Sequence, residues 1–550
     1  MKLNKFQILL FVLILFSLFI RLIKPTNLSL FGDEIDVGYQ AFSLLTTAHD
    51  YKGNFLPTYI QSLAESRAPL LIYSSIPGIF IFGLNELGVR FAPIVLGVFS
   101  IFLFYKLIFL LSNSHRLAFL STFVLSFSPW HFHYSRTAFE STLLLSLLLL
   151  GTYYFYKFIK FYKNKFLYFS IIAFSLTFYT YSTANIFTPL LVLYLIFSNI
   201  NFIKTYFNPK LIFYAIFLGL IFVLPITYQI LFGPAANRFS SINIFNNQFT
   251  IDSIINKRTI FSAGNQNTER IFHNKLISFS QEIFKNYLNS FSLNFLFING
   301  DTLNLRHSIP GTGLIFISFL PFLVLGFVFL KRNNQLNKLM LFWLFISPLP
   351  ASLTLNGGTH ATRLFPLIIP ISYFISLGIN KTISAKYSKL IFFSLTITLI
   401  IEVSLYSHEY FVHYPKDSFL VWNRGYQEIF QNIPPNYNRL FVSNAKYNSL
   451  LPFLFYQKYS PFQFINSQVK DSGDTFNLNH RITFINHWEN IDHLQEISQN
   501  SLTGDVFVLF QGNDIPGDMD FSKNQLTGFN TIKTIFNPNQ TIFAQIIQKQ

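Results

Sequence analysis

Long apolar stretches separated by short polar connections run from residue 6 to about residue 407, and there they stop. A helix that crosses a bilayer needs roughly 17–25 apolar residues. Stretches of that kind lie at 6–23, 91–111, 117–134, 140–158, 166–182, 185–203, 211–232, 311–330, 338–355, 363–380 and 389–407. One more, at 69–84, has a length that fits either a crossing or a juxtamembrane helix. Beyond residue 407 the period changes. Short β-rich pieces at 439–442, 482–485 and 506–510 alternate with helical pieces at 418–430 and 448–457. The last two pieces, 531–536 and 541–547, flank Asn537-Pro538-Asn539-Gln540 as the arms of a closing hairpin. The expected fold class is a polytopic α-helical membrane protein over 1–407, followed by a small soluble α/β domain over 408–550.

Charge decides the ambiguous stretch. Lys2 and Lys5 precede the first apolar run, which has no small-x-small cleavage pattern after it and reads as a retained anchor with a cytoplasmic N-terminus. If 69–84 does not cross, the basic connections at 157–165, 204–210, 331–338 and 381–389 all share the cytoplasmic side with Lys2 and Lys5. If it crosses, every one of them is outside. The expectation is therefore eleven spans, with 69–84 a re-entrant or juxtamembrane helix on the outer face. The connections 24–90 and 233–310, the turns at Arg136 and at His360 and Arg363, and the tail then face away from the cytoplasm, in a prokaryotic plasma membrane. Nucleotides are absent there, and no phosphate-cradling loop of the nucleotide-binding kind occurs in the sequence.

Composition narrows the classes further. Of 550 residues 51% are hydrophobic and only 12% charged, where a soluble domain carries about a quarter charged. That excludes a purely soluble, a disordered or a fibrous protein. The net charge of +16 reports topology, not a nucleic-acid partner. Cysteine is absent, which removes disulfides, thiolate metal sites and thiol nucleophiles together.

Ionisable residues gather at the predicted outer ends of the helices. Gly32-Asp33-Glu34, with Asp36, places two adjacent carboxylates just after the first span, where partial burial can tune one into a general base. A solvated helix start favoured by the dipole is the equally simple reading. Arg136 and Glu140 stand four residues apart and can pair on a helical face, beside the polar-aromatic group Trp130, His131, His133 and Tyr134. Arg67, before Pro69, and the pair His360 and Arg363 are cations on the side where the positive-inside rule disfavours them. Holding a phosphate is one reason for them and contact with lipid headgroups is another. Phe272, Leu276, Phe279, Ile283 and Tyr287 recur at spacings of three and four and predict an interfacial amphipathic helix. Asn299-Gly300-Asp301, with Arg306 and His307, is a polar turn and a secondary candidate site. No grouping has convincing metal-ligand spacing, so no metal is expected.

In order, the chain carries an anchor helix, an Asp-Glu pair opening the first outer loop, a Pro-headed re-entrant helix, an Arg-x-x-x-Glu turn, a long outer loop and an α/β tail. This resembles the GT-C superfamily of polytopic glycosyltransferases, in particular its family 39-like branch of protein mannosyltransferases and aminoarabinose transferases. The matching segments are 32–40, 67–73, 89–97, 128–140, 179–189, 297–313 and 347–366. The family pattern has a Lys or His followed by Pro-Pro where this chain has Arg67-Ala68-Pro69, and often an Arg where it has Asn185. The resemblance implies a hexosyl or pentosyl transferase moving a sugar from a polyprenyl-phosphate carrier to a hydroxyl of a protein, lipid or glycan, with inversion. It implies Asp33 as base with Glu34 in support, Arg136, Arg363, Arg67 and His360 on the donor phosphate, and Glu140, Tyr134, Arg306 and His307 lining the substrate. Expelling a polyprenyl monophosphate leaves negative charge on phosphate and positive charge on the sugar ring, which suits cations and carboxylates in those roles. No cofactor is implied as obligatory, since a monophosphate leaving group needs no divalent metal.

Two other classes compete. A lipid-linked sugar flippase should show ionisable residues deep within several spans and paired repeats, whereas here they cluster at helix ends. A scaffolding membrane protein whose tail does the work would be indifferent to Asp33. Among enzymes, a polymerase or ligase using polyprenyl-diphosphate-linked glycans is the runner-up.

Overall fold

The computed structural model describes residues 4–63, 66–233, 243–259, 266–331, 334–383, 388–444, 446, 448–467, 470–471, 475–485, 501–517, 519–523 and 526–550. Parts of three predicted connections lie outside the described residues: 234–242 and 260–265 in the loop 233–310, 332–333 in 331–338, and 384–387 in 381–389. The chain divides into two compact units. The first comprises Met1–Ile23, Thr58–Leu71 and Ala92–Tyr410, and the second Lys24–Pro57, Ile72–Phe91 and Phe411–Gln550.

The first unit is helical. Among the described residues, six helices are long and apolar enough to cross a membrane: Lys5–Leu22, Glu86–Ser112, Glu140–Phe161, Pro209–Phe232, Ala361–Thr382 and Ser388–Asp417. The helices Ala184–Ser198 and Ile200–Tyr206 pass the same length and composition test only as a pair, bent by 73° at the break between them. The remaining four of the eleven expected crossings form shorter helices, His115–Phe127, Asn164–Thr177, Leu320–Val328 and Gln335–Ile346. The stretch at 69–84 forms the thirteen-residue helix Leu70–Phe82, which from Ile72 onward belongs to the second unit. Helix packing here relies on small residues and hydroxyls, as expected where lipid removes the hydrophobic drive between helices. A Cβ on Gly326 would meet the Phe374 carbonyl oxygen at 1.9 Å, so only glycine lets these helices approach so closely. Ser121 and Ser376 bridge two helices through their hydroxyls at 2.7 Å. The predicted amphipathic helix is present as Lys275–Asn289, with Phe279 buried.

The first unit holds a short antiparallel pair, β1 (Ile60–Gln61) and β2 (Ser66–Arg67); the second is built, among the described residues, on a seven-stranded sheet: β3 (Leu440–Ser443), β4 (Lys470–Asp471), β5 (Thr475–Leu478), β6 (Ile482–Ile485), β7 (Val506–Phe510), β8 (Phe529–Phe536) and β9 (Ile542–Lys549), in the order β4-β5-β6-β3-β7-β9-β8. β3 pairs in parallel with β6 and β7, and the outer pairings are antiparallel. All five residues of β7 are buried, which explains its unbroken apolar sequence. The closing hairpin forms as expected from β8 and β9. The helix Gly32–Thr47 belongs to this unit and packs on the helix Leu450–Tyr456; a Cβ on Gly38 would lie 2.6 Å from Phe455 and from Val89. The acidic doublet is thus carried by the same compact body as the tail.

Within this sheet domain, Asp514 accepts from the Phe510 amide at 2.7 Å and the Ser443 hydroxyl at 2.9 Å. Burial pushes its carboxyl from 3.8 up to about 6, against those two hydrogen bonds. A carboxyl whose folded value is raised binds its proton more tightly in the fold than in the unfolded chain. The domain therefore loses stability, on the order of 3 kcal/mol, as pH rises from about 4 to about 6, and loses no more above. Asp514→Asn is expected to flatten that window, which thermal scans of both proteins between pH 4 and 7 measure directly.

Candidate active site

Backbone constraints hold two distant segments of the first unit together. Gly300 sits at φ +66°, and a Cβ there would strike the Ser308 hydroxyl at 2.6 Å and the Thr312 carbonyl at 2.8 Å. The turn that it allows aims Asp301 inward. Asp301 Oδ1 accepts from the Leu303 and Asn304 amides at 3.2 and 3.1 Å. Its Oδ2 accepts from His307 Nδ1 at 2.7 Å and from the Ala361 amide at 3.1 Å. One buried carboxylate thus ties the turn at 299–308 to the turn at 356–363. The His360 ring lies 4.7 Å from that of His307. Burial first, then the nearby Arg363 and His307, hold the His360 imidazole well below its ordinary value, so it is neutral.

Neighbouring residues extend this network. The Tyr134 and Thr362 hydroxyls meet at 2.8 Å. His133 Nε2 donates to the Arg306 carbonyl at 2.7 Å, which leaves Nδ1 to accept from the Tyr410 hydroxyl at 3.2 Å. Phe139, just before Glu140, packs edge-on to His307 at 5.5 Å. Arg363 is half-buried and spends one nitrogen, Nη1, on the Thr354 hydroxyl at 2.6 Å and the Leu355 carbonyl at 3.1 Å. Among the described residues its remaining donors have no protein acceptor, which leaves a guanidinium edge for a ligand. Arg67, on a two-residue strand (Ser66–Arg67), is buried and faces Glu140 at 3.8 Å. Glu140 opens the helix Glu140–Phe161, where a carboxylate suits the positive end of the dipole.

Two candidates turn out to have structural partners. Arg136 was expected to pair with Glu140 or to hold phosphate. Its Nη1 donates to the Ile20 and Arg21 carbonyls at 2.9 and 3.0 Å, and its Nη2 to that of Ile23 at 2.7 Å. These are the orphan carbonyls at the end of the helix Lys5–Leu22, and a cation there is favoured by the dipole. Glu34, in the second unit, is fully buried and gripped by Arg90, Nε to Oε1 at 2.9 Å and Nη2 to Oε2 at 2.5 Å. The other Arg90 donors take the carbonyls of Pro25, Leu28 and Ser29 at 2.7, 2.7 and 2.9 Å. This fork fixes the start of the helix Gly32–Thr47, on whose first turn Asp33 stands exposed. Glu34 thus helps to fix the helix start on which Asp33 stands.

Sequence reasoning missed Arg90, Thr362 and Glu402. Each had the signal of a lone polar group at or inside an apolar run. Glu402, within the helix Ser388–His408, accepts from the Ser318 amide at 3.2 Å and hydroxyl at 2.5 Å, and so caps a neighbouring helix start.

Residues 66–228 match the family model for dolichyl-phosphate-mannose-protein mannosyltransferase. No curated protein matches the sequence. Among solved structures, ArnT from Cupriavidus metallidurans in the apo state, and the same protein bound to undecaprenyl phosphate, each align over 98% of this chain and 97% of theirs, with a TM-score of 0.53 at 10% identity. The Archaeoglobus fulgidus oligosaccharyltransferase in its apo form aligns over 92% of this chain and 70% of its own, with a TM-score of 0.47 at 12% identity. This chain therefore resembles the mannosyltransferase family over residues 66–228 and shares the fold of ArnT along nearly its whole length.

Proposed function

We propose that the chain transfers a sugar from a polyprenyl monophosphate to an acceptor hydroxyl on the extracytoplasmic side of a prokaryotic plasma membrane, with inversion at the anomeric carbon. The observation that carries this reading is the half-buried Arg363, whose guanidinium keeps donors open on a turn locked to the Asp301 network. A guanidinium so placed can hold two phosphate oxygens at once and stabilise the charge that develops as the phosphate leaves. Arg67 and Arg306 add positive charge, and His360, His307, Tyr134 and Glu140 line the same unit. Asp33 acts as base on the acceptor hydroxyl. That ArnT has been crystallised with undecaprenyl phosphate supports a lipid monophosphate as the carrier. Protein, lipid or glycan remains the acceptor class.

A panel of radiolabelled donors tests the reading: polyprenyl-monophosphate sugars, polyprenyl-diphosphate glycans and nucleotide sugars, each offered to the purified protein. Turnover confined to the first class is expected, and turnover confined to either of the others overturns the proposal. Arg363→Gln is expected to raise the donor KM by about 10- to 100-fold, the value of one or two lost charge-assisted hydrogen bonds, with kcat falling less. Steady-state kinetics with varied donor resolves the two parameters.

A further inference from the structure

We propose that Asp301, His307 and His360 form a binding site for a divalent metal of the zinc class. Their ligand atoms, one carboxylate oxygen and one nitrogen from each ring, lie within 4.8 Å of one another. In a tetrahedral site with metal–ligand bonds of about 2.1 Å such atoms stand about 3.4 Å apart, so closing the set asks for a contraction of at most about 1.4 Å between any two of them.

Three features favour a metal over a simple His–Asp pair. The first is His360 Nδ1, which is buried and, among the described residues, has no hydrogen-bond partner. A buried polar nitrogen left so has lost its hydration with nothing in return, a deficit that a metal bond to it removes. The second is the fixed carboxylate: three backbone amides, from Leu303, Asn304 and Ala361, orient it from outside, which is how ligating carboxylates are normally held. The third is the donor set itself. Two neutral imidazoles and one carboxylate suit zinc, leave a fourth position for water, and need no cysteine, of which this chain has none. The carboxylate cancels half the ion's charge, which lets it sit near Arg363.

Such an ion fixes the turn at 356–363, and with it Arg363, to the turn at 299–308, which carries Arg306. The site lies wholly within the first unit, and its occupancy is independent of whether the chain transfers sugar.

The test is metal content and metal-linked stability of the full chain, purified in detergent with its affinity tag removed. After zinc loading and passage over a chelating resin, about one zinc per chain is expected by mass spectrometry, together with a rise in Tm on adding zinc back to stripped protein. His360→Gln, similar in size, is expected to weaken zinc binding roughly 100-fold and to abolish the Tm rise. Should that variant fail to elute as a folded species, cobalt-loaded wild type gives the second readout: an intense visible d–d band of tetrahedral nitrogen and oxygen ligation. A wild-type chain that retains no zinc and shows no Tm rise overturns the site. So does an unchanged response in folded His360→Gln, or a cobalt spectrum of the hydrated ion only.

Discussion

Asp33→Asn is expected to lower kcat for sugar transfer by roughly 10³-fold, within the 10²–10⁴ range that a positioned general base contributes, while donor binding stays within about twofold. The two side chains are nearly isosteric, and Asp33 stands exposed on the first turn of its helix. What disappears is the basic carboxylate to which the proposal assigns the acceptor's proton. Neutralisation also removes a favourable charge at the helix N-terminus, which at an exposed position is worth only about 0.3–1 kcal/mol and does not reach the expected loss of rate. Measuring kcat and donor Kd on the same preparation separates the chemistry from binding. A variant that keeps wild-type turnover would remove Asp33 from the reaction.

The second large effect is on stability. Arg90→Met leaves the fully buried Glu34 carboxylate without its fork and the carbonyls of Pro25, Leu28 and Ser29 without their donors. Breaking one side of a buried ion pair costs about 3–5 kcal/mol, a fall in Tm on the order of 10 °C for a body of this size. Arg90→Lys keeps the charge but cannot occupy both carboxylate oxygens and three carbonyls, so it is expected to recover less than half of the loss. Glu34→Gln, which leaves those carbonyls satisfied, should cost less than Arg90→Met. Thermal scans of the three variants rank them. Equal stability for Arg90→Met and wild type would contradict the structural role given to this pair.

These two predictions mark how far the sequence was legible. The apolar period located the helices, because a bilayer imposes a length that composition reveals. It did not show that some of them would stop at 12–14 residues, as Gln335–Ile346 and Asn164–Thr177 do, since their ends are set by packing and caps. The tail's strands and closing hairpin followed from β-branched runs and a turn tetrapeptide. The company kept by the helix Gly32–Thr47 did not, because it depends on Gly38 fitting against Phe455, a contact between residues more than four hundred positions apart. At the site, the kinds of residue were legible and their partners were not. Arg136 and Arg363 look alike in sequence, each a lone cation in a turn. Only the structure shows that the first faces three backbone carbonyls at a helix end and that the second keeps donors open. Asp301 read as a turn former, yet it is the residue on which two loops converge.

The most direct test of sugar transfer by this chain is the stoichiometry and stereochemistry of a single turnover. Purified protein is mixed with a polyprenyl-monophosphate sugar of known anomeric configuration and an acceptor alcohol, and both products are followed. The expected result is one polyprenyl phosphate released for each glycoside formed, with the anomeric configuration inverted. Movement of the intact donor between leaflets without bond cleavage, or a product of retained configuration, would contradict it.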